Sequence, residues 1–467
     1  MESRYERLIA RLDRMRGRAV RRSERYTRWR IAIFTVGAIA VGIAAFRDPA
    51  RGGWIPLLLS GGLFAAVARA HGRLKHRLQR LDAWIAIKRT HLARLRLDWA
   101  RLPDSRHVAP DGHPYAVDLD IVGPRSLLRW IDTTVTTPGR AELARWLLEP
   151  DLEGFAARRG LIRDVQPLRL VRDRLILEAG LTAGGALDGA RVIAALRRGE
   201  PPRLAVLLVI ESALAVLTAV WLALSSFRGI PGYWVLSLIV YVAVFWWASP
   251  RLASVFSQAV DLEADLAPFA RVFAVLERRS FRRHPGLAAL LAPFRERTAK
   301  PSTATRRLAR LVAALNVRAH PLAHLGLNLL GPWDLWFAER FRSLHGGIAD
   351  RLPEWIERLG RFEAASALGH YADTHPQYLY PELEPSSPSA DGITLEITGV
   401  GHPLLSAATR VTNDFSLRGL GATAIITGSN MSGKSTFLRT LGVNLCLAEA
   451  GAPVCAAQWR SPWMRLS

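Results

Sequence analysis

The chain carries the stretch Gly428-Ser-Asn-Met-Ser-Gly-Lys-Ser-Thr436. It fits the pattern G-x-x-x-x-G-K-[ST], in which glycines let backbone N–H groups point at a phosphate and the following helix adds a favourable dipole. In such a loop Lys434 would reach the β- and γ-phosphates, and the Ser435 hydroxyl would bind Mg²⁺. The motif therefore predicts a nucleotide-binding site.

The residues around this loop have the pattern that a phosphate cradle needs. Residues 422–427 form a short apolar, β-branched run that is typical of a buried strand. Residues 434–450 have helical periodicity, with their leucines mostly on one side. We therefore expect strand, loop and helix in succession, as in an α/β P-loop domain.

The choice of basic residues gives an independent signal. Of the 63 basic residues, all but four are arginine, and the four lysines are Lys75, Lys88, Lys300 and Lys434. The chain thus has a lysine at the position where a compact ammonium charge suits a phosphate. This argues against the alternative explanation of the motif, a chance glycine-rich turn.

The wording of the loop indicates a family. Residues 425–439, Ile-Ile-Thr-Gly-Ser-Asn-Met-Ser-Gly-Lys-Ser-Thr-Phe-Leu-Arg, resemble the ATPase domain of MutS-type DNA mismatch repair proteins, which carry I-T-G-P-N-M-G-G-K-S-T-x-L-R there. Generic P-loops seldom have the Asn-Met pair. The resemblance implies that ATP is the nucleotide and that Lys434 and Asn430 are the catalytic residues. The implied binding residues are Gly428, Ser429, Asn430, Met431, Ser432, Gly433, Lys434, Ser435 and Thr436.

Three shorter stretches near the loop resemble the same family. Residues 450–456 are similar to its A-x-x-G-x-x-V-P-A segment, with Cys455 in place of the proline. Residues 401–404 are similar to its R-H-P element, and residues 411–414 to its V-P-N-D. The family often has an aromatic residue near position 410 that stacks on the adenine, whereas this chain has Arg410.

Two stretches farther upstream resemble the family's core, or lever, domain. Residues 127–150 are similar to its L-D-x-T-x-T-x-x-G-x-R-x-L-x-x-W-L pattern, and residues 361–369 to E-A-x-x-S-L-A. The matching residues are Asp132, Thr134, Thr136, Gly139, Leu143, Trp146 and Leu147 in the first stretch and Glu363, Ser366 and Leu368 in the second. Neither stretch shows catalytic residues, so the implied role is mechanical.

The composition combines high charge with high hydrophobicity. The 467 residues carry a net charge of +23, and half of them are hydrophobic. This indicates charged cytosolic parts joined to apolar segments. The two cysteines, Cys446 and Cys455, cannot form a disulfide framework, so we expect a reducing compartment.

A first pair of apolar runs predicts a transmembrane hairpin. Residues 31–46 and 54–68 are apolar and are separated by a short loop. Basic residues crowd the outer flanks at Arg21, Arg22, Arg25, Arg28, Arg30, Arg69, Arg73, Lys75 and Arg77, whereas the loop has Arg47 and Arg51. The positive-inside rule then places both ends in the cytoplasm. A buried core hairpin is the alternative.

A second pair, residues 204–227 and 230–249, predicts another transmembrane hairpin, with tryptophans suited to the membrane interface. Glu211 interrupts the first run and indicates either a polar contact within the span or a side chain that snorkels to the surface. The predicted localisation is the cytoplasmic (inner) membrane, multi-pass, with the bulk of the chain in the cytosol.

The predicted fold is mainly α-helical, with two transmembrane hairpins and an incomplete C-terminal α/β P-loop NTPase domain. Residues 71–100 form an amphipathic helix that is a coiled-coil arm, a membrane-surface helix or a solvated bundle helix, and we expect residues 322–337 to form a buried helix. The predicted domains are a basic helix (1–30), hairpin 1 (31–70), a helical region with the start of the core (71–200), hairpin 2 (201–250), a helical lever (251–375), a linker (376–392) and the N-terminal part of the ATPase domain (393–467).

Two departures from the family affect the predicted function. The mismatch-recognising N-terminal domain with its Phe-x-Glu wedge is expected to be absent, because membrane runs and arginines occupy residues 1–100. No apolar run ending in Asp-Glu follows the loop, so a Walker B motif is also expected to be absent, and we suspect a truncated chain. ATP hydrolysis is therefore left open.

The leading hypothesis is a membrane-anchored, MutS-like ATP-binding protein that dimerises through its ATPase domains and couples nucleotide state to DNA binding, with a possible mismatch-repair or DNA-damage role. The alternatives are a membrane transport ATPase and a non-catalytic membrane scaffold. The arginines predict sequence-independent DNA binding through phosphates. They could equally be a topology signal combined with compositional bias.

Overall fold

The computed structural model forms two compact units, Met1–Ser105 with Leu404–Ala408 and Arg106–Pro403 with Thr409–Ser467. The residues described are 1–48, 53–104, 107–181, 187–228, 231–296, 300–314, 320–384, 394–419, 422–429, 433–464 and 466. Fifteen α-helices and one small sheet are present in these residues. The expectation of a mainly helical protein is confirmed.

The first unit is an antiparallel pair of long helices, α1 (Glu2–Arg47) and α2 (Trp54–Leu95). Its polar half is joined by ion pairs across the two helices, Arg16 with Asp82, Arg89 with Asp13, and Arg96 with both Glu2 and Glu6. In the apolar half a Cβ on Gly37 would lie 2.6 Å from the Ser60 Cβ. Small residues let the two backbones approach closely where side chains provide little polar contact.

The second unit contains thirteen of the helices. They are α3 (Leu127–Ile131), α4 (Thr137–Leu148), α5 (Leu152–Val165), α6 (Arg169–Gly180), α7 (Gly189–Arg197), α8 (Ala205–Arg228), α9 (Trp234–Glu277), α10 (Pro285–Leu290), α11 (Pro301–Ala313), α12 (Pro321–Leu330), α13 (Trp333–Ala349), α14 (Leu352–Thr374) and α15 (Lys434–Glu449). A short 3₁₀ helix, Ala292–Arg295, precedes α11.

Side-chain caps explain where several of these helices begin. Ser126, Thr136, Asp151 and Asp188 each accept a hydrogen bond from the backbone N–H three residues later. Such caps satisfy N–H groups that have no partner within the helix. The core lies around α14, where residues 362–374 are all buried.

The second hairpin consists of α8 and the first half of α9. The Thr218 hydroxyl donates to the Ser237 hydroxyl at 2.9 Å, which fixes the register of the two helices. Past Pro250, α9 continues as a buried core helix that packs against α11 and α6.

Four helices, α1, α2, α8 and α9, are long and apolar enough to cross a membrane by length and composition. Their apolar side chains are mostly exposed, for example Phe34, Leu58, Val206 and Trp246. Soluble proteins rarely expose contiguous apolar surface of this extent. A buried core hairpin, the alternative for the first pair, does not fit this exposure.

The prediction of one buried helix over residues 322–337 is wrong. The run is divided between α12 and α13, and the break lies at Gly331 and Pro332. Proline has no backbone N–H to continue a helical hydrogen-bond ladder. Four of the five leucines of α12 are moreover exposed, namely Leu322, Leu325, Leu329 and Leu330.

The second unit also contains a four-stranded mixed sheet. Its strands are β1 (Glu382–Glu384), β2 (Thr394–Val400), β3 (Asn413–Arg418) and β4 (Gln458–Pro462), in the order β1-β4-β2-β3. β1 and β4 are parallel, whereas β2 is antiparallel to both β3 and β4.

The predicted strand over residues 422–427 does not form, and this prediction is wrong. The described residues 422–429 are exposed and have no strand pairing. A strand needs neighbouring strands for its backbone hydrogen bonds and for burial of its side chains. Local β-propensity cannot supply those partners.

Candidate nucleotide-binding site

The glycine-rich loop leads directly into α15. Gly433 has φ of 85° and precedes the first helical residue, Lys434. A φ in this range suits glycine, because other residues are strained there by their Cβ. The Lys434 ammonium group donates a hydrogen bond to the carbonyl oxygen of Gly428 and so closes the loop. Asn430, Met431 and Ser432 lie outside the described residues.

The first turn of α15 has the properties that an anion requires. Ser435 and Thr436 are exposed, Lys434 is half-buried, and the turn contains no acidic residue. The N-terminal N–H groups of a helix have no partner within it and carry a partial positive charge. These residues therefore fit a phosphate group, with the Ser435 hydroxyl available to Mg²⁺. Ser429 is exposed beside them.

Asn444 anchors α15 to two neighbouring segments. Its buried side-chain amide donates to the Gly401 carbonyl at 3.1 Å and to the Thr440 carbonyl at 2.8 Å. Its carbonyl oxygen accepts from the backbone N–H of Cys455 at 2.7 Å. Asn444 is not among the site residues predicted from the sequence, although an amide in the apolar run 441–448 was a signal for such a role.

Arg410, at the position where the resembled family often has an aromatic residue, is held inside the domain. Its guanidinium donates to the His402 carbonyl at 2.9 Å and to the Cys455 sulfur at 3.0 Å. It also lies over the ring of Tyr378, 5.6 Å from the centroid. Arg410 therefore joins the segments on either side of α15.

The C-terminal end of α15 is fastened to α5. Arg158 of α5 donates to the Glu449 carbonyl at 3.2 Å, a favourable contact for a cation at a helix C-terminus. The Glu449 carboxylate accepts from the backbone N–H of Met464 at 3.1 Å, and burial raises its pKa to about 7. Gly451, with φ of 84°, follows against the backbone of Arg159.

A second contact lies nearer the loop. Arg439 of α15 pairs with Asp120 at 3.1 Å, and a Cβ on Gly442 would lie 2.6 Å from the Leu119 side chain. α15 is thus held along its length by contacts with other segments of the second unit.

The two stretches that resemble the family's core domain meet in the structure. The Glu363 carboxylate of α14 accepts from the backbone N–H of Thr136 at 3.1 Å and from its hydroxyl at 2.7 Å. Burial raises the pKa of Glu363 to about 7. A Cβ on Gly139 would lie 1.9 Å from a Glu363 carboxylate oxygen, so glycine is the residue that this approach permits.

Asp132 organises the turn before α4. Its carboxylate accepts from the Thr134 hydroxyl at 2.6 Å and from its backbone N–H at 2.8 Å, and lies 3.0 Å from His107 Nε2. These contacts hold the pKa of Asp132 below its usual value, although burial acts in the opposite direction. The arrangement is structural, and the mechanical role of this stretch stays a prediction.

The described residues on either side of the glycine-rich loop thus meet through Lys434 and Gly428, and the helix that follows is held by neighbouring segments. No protein-family model matches the chain. The chain is 35% identical over 114 residues to the DNA mismatch repair protein MutS of Fusobacterium nucleatum, which is 24% of this chain and 12% of that protein. It is 35% identical over 120 residues to endonuclease MutS2 of Streptococcus mutans, 25% of this chain and 15% of that protein.

A plant relative extends the comparison to eukaryotes. The chain is 38% identical over 89 residues to the DNA mismatch repair protein MSH2 of Zea mays, 18% of this chain and 9% of that protein. The chain thus covers less than a sixth of the length of each of these three relatives. The similarities support a MutS-family relationship for about a quarter of the chain.

Proposed function

We propose that the protein is a membrane-anchored, MutS-like ATP-binding protein that couples its nucleotide state to DNA binding. The observation that carries the proposal is the loop closed by Lys434 on Gly428 and followed at once by α15. The similarity to MutS and MSH2 proteins supports ATP as the nucleotide and DNA as the partner.

Different residues of the loop would bind the phosphates and the Mg²⁺ ion. The backbone N–H groups over residues 428–436 and the Lys434 ammonium would hold the β- and γ-phosphates, and Ser435 would hold Mg²⁺. Bound Mg²⁺ neutralises phosphate charge. Lys434 would exchange the Gly428 carbonyl for a phosphate oxygen, which opens the closed loop. Lys434, Ser435 and the backbone N–H groups are groups that bind a nucleotide. We propose nucleotide binding and leave hydrolysis open.

Coupling would run along α15. Three contacts join this helix to its neighbours: Asn444 with the Gly401 carbonyl, Arg439 with Asp120, and the Glu449 carbonyl with Arg158 of α5. A shift at the loop would therefore reach the Thr136–Glu363 contact in the core. We propose that these contacts link nucleotide binding to movement of the lever.

We further propose where the protein lies in the cell and what it binds. The exposed apolar surfaces of α1, α2, α8 and α9 support two hairpins in the cytoplasmic membrane, with the remaining chain in the cytosol. DNA would bind through arginine-rich surfaces without reading sequence, and two copies would associate through their ATPase domains. A mismatch-repair or DNA-damage role follows as a hypothesis from the names of the relatives.

Replacement of Lys434 by alanine tests the proposal. We expect Lys434→Ala to weaken binding of Mg-ATP to the full chain by at least about tenfold, or about 1.4 kcal/mol, because the ammonium contact to the phosphates is lost. The measurement is isothermal calorimetry on purified full-length protein in detergent.

Lys300→Ala is the matched control, since Lys300 is exposed at the start of α11, outside the loop. Its ATP affinity should equal that of the wild type. Equal affinity of Lys434→Ala and Lys300→Ala would contradict the assignment. No binding in any variant would favour the non-catalytic scaffold.

A further inference from the structure

The helix α12 has its polarity reversed relative to a soluble helix. Leu322 and Leu330 are each 85% exposed, and Leu325 and Leu329 are also exposed. Asn328, in contrast, is buried, with 8% of its surface exposed. A helix on a water-soluble protein buries its leucines and exposes its amides. An inverted pattern of this kind suits hydrocarbon surroundings.

The inward side of α12 belongs to a polar cluster with α13 and α9. His324 Nε2 lies 2.9 Å from an Asp334 carboxylate oxygen, and the Asn328 side-chain oxygen accepts from the Asp334 backbone N–H at 3.1 Å. The Tyr241 hydroxyl donates to the Asn328 backbone carbonyl at 2.5 Å. The polar groups thus satisfy one another on the side away from the leucines.

Glu211 of α8 faces the same cluster. It is fully buried, and its charge interacts with that of Asp334. Within the described part of the chain its two carboxylate oxygens have no hydrogen-bond partner. The side chain is buried and does not reach the surface, so the snorkelling interpretation is wrong. The polar contact that the other interpretation expects is not made as a hydrogen bond among the described residues.

Hydrogen bonds fix how deep α12 and α13 lie along the second hairpin. Tyr241 lies about 10 Å beyond the start of α9 and about 15 Å before Arg251, the first charge that follows, at a rise of about 1.5 Å per residue. Its bond to Asn328 therefore places α12 near the middle of the apolar part of the hairpin. At the other end of the contact, Glu339 of α13 accepts from the backbone N–H of Leu204, just before α8 begins.

The backbone N–H groups in the turn between α12 and α13 are also satisfied without water. At this depth a backbone without internal hydrogen bonds would be costly in lipid. Pro332 has no N–H, the Trp333 N–H donates to the Gly331 carbonyl at 2.7 Å, and the Asp334 N–H is satisfied by Asn328. Trp336, 45% exposed, lies between this turn and Glu339, at a depth suited to an interfacial tryptophan.

We propose that α12 and the first turns of α13 form a re-entrant segment that enters the bilayer beside the second hairpin and contacts lipid acyl chains through Leu322, Leu325, Leu329 and Leu330. The proposal rests on the membrane insertion of α8 and α9. It adds a third membrane element to the two hairpins, and it gives the polar cluster the role of holding that element against the span.

Nitroxide labels on single cysteines test this in the full-length protein reconstituted in phosphatidylcholine vesicles. The variants are Leu325→Cys, Val216→Cys on the exposed face of α8 as the hydrocarbon reference, and Ser343→Cys on α13 as the aqueous reference. The wild type, whose two cysteines are buried, gives the labelling blank. The measurement is the accessibility of each label to molecular oxygen relative to a water-soluble nickel chelate.

We expect the oxygen-to-nickel ratio at 325 to match that at 216 and to exceed that at 343 several-fold. A ratio at 325 that matches 343, while 216 reports hydrocarbon, would overturn the re-entrant segment alone. Shielding of 325 from both reagents would overturn it as well, in favour of a second copy of the chain on this face. An aqueous ratio at 216 would overturn the membrane insertion on which the inference rests.

Discussion

Glu363 is the residue whose ionisation most directly affects the core. Its buried carboxylate accepts two hydrogen bonds from Thr136, and burial raises its pKa from 4.5 to about 7. In the unfolded chain the carboxyl ionises near its ordinary pKa, whereas in the folded protein it keeps its proton to a higher pH. The folded state therefore binds more protons than the unfolded state between about pH 4.5 and 7, so this residue lowers stability as the pH rises through that window.

Glu363→Gln should remove this pH dependence. Glutamine keeps an acceptor for Thr136 but does not titrate. At about 1.4 kcal/mol per pKa unit, a shift from 4.5 to about 7 corresponds to at most about 3.5 kcal/mol of unfolding free energy. The measured quantity is the melting temperature of the wild type minus that of Glu363→Gln. We expect this difference to decrease from pH 5 to pH 7 and to stay constant at higher pH.

The control for this comparison is Glu357→Gln on the same helix. Glu357 is exposed and pairs with Arg361 at the surface, where an ion pair contributes little. Its melting curve should follow the wild type at each pH. If Glu363→Gln also follows the wild type across the window, the buried carboxyl is not the titrating group.

At the scale of elements, the two apolar hairpins predict a membrane topology. α1 runs without a break from its arginine-rich first half into its apolar second half, and α2 does the reverse. Cationic flanks of membrane helices remain in the cytoplasm. The short connections near Gly53 and Gly232 should therefore lie outside the cytoplasm.

Cysteine labelling in intact cells tests this topology. Gly53→Cys and Gly232→Cys should react with a membrane-impermeant maleimide added from outside, because each lies beside the apolar end of a hairpin. Ser343→Cys should react after the cells are opened and not before. Labelling of Ser343→Cys in intact cells, or protection of both loop cysteines, would refute the proposed orientation.

At the scale of the whole molecule, the net charge of +23 bears on DNA. Before the helical core, the described residues form the two helices α1 and α2. Phosphate contacts position a protein on DNA without reading bases, whereas discrimination of a mismatch needs a base contact or an inserted wedge. Any DNA binding by this chain should therefore be driven by the phosphate backbone.

A salt series with matched and mismatched duplexes measures this directly. For the full chain in detergent, we expect the logarithm of the association constant to fall linearly with the logarithm of the salt concentration, with a slope of about −0.9 per phosphate contact. The association constants for the matched and the mismatched duplex should be equal at each salt concentration. A mismatch preference above about tenfold, worth about 1.4 kcal/mol, would reveal a recognition element. Absence of binding at low salt would make the arginines a topology signal and favour the scaffold.

The sequence by itself determined the features that depend on near neighbours in the chain. The helix that begins at Lys434 follows from the 3.6-residue period, and the positive φ of the residue before it suits Gly433. The four long apolar helices follow from composition and length. The Thr136 cap also follows from local chemistry, because a side-chain oxygen reaches the N–H three residues later.

The tertiary structure decided what depends on partners distant in the chain. Residues 422–427 have β-propensity, but a strand forms only where other strands supply hydrogen bonds. Residues 322–337 look like one buried helix, yet their surroundings turn the leucines outward and Asn328 inward. The contact of Glu363 with Thr136 joins residues more than two hundred positions apart, so no local pattern could have shown it. Burial and pairing are properties of the packed chain, and for that reason only the fold could settle them.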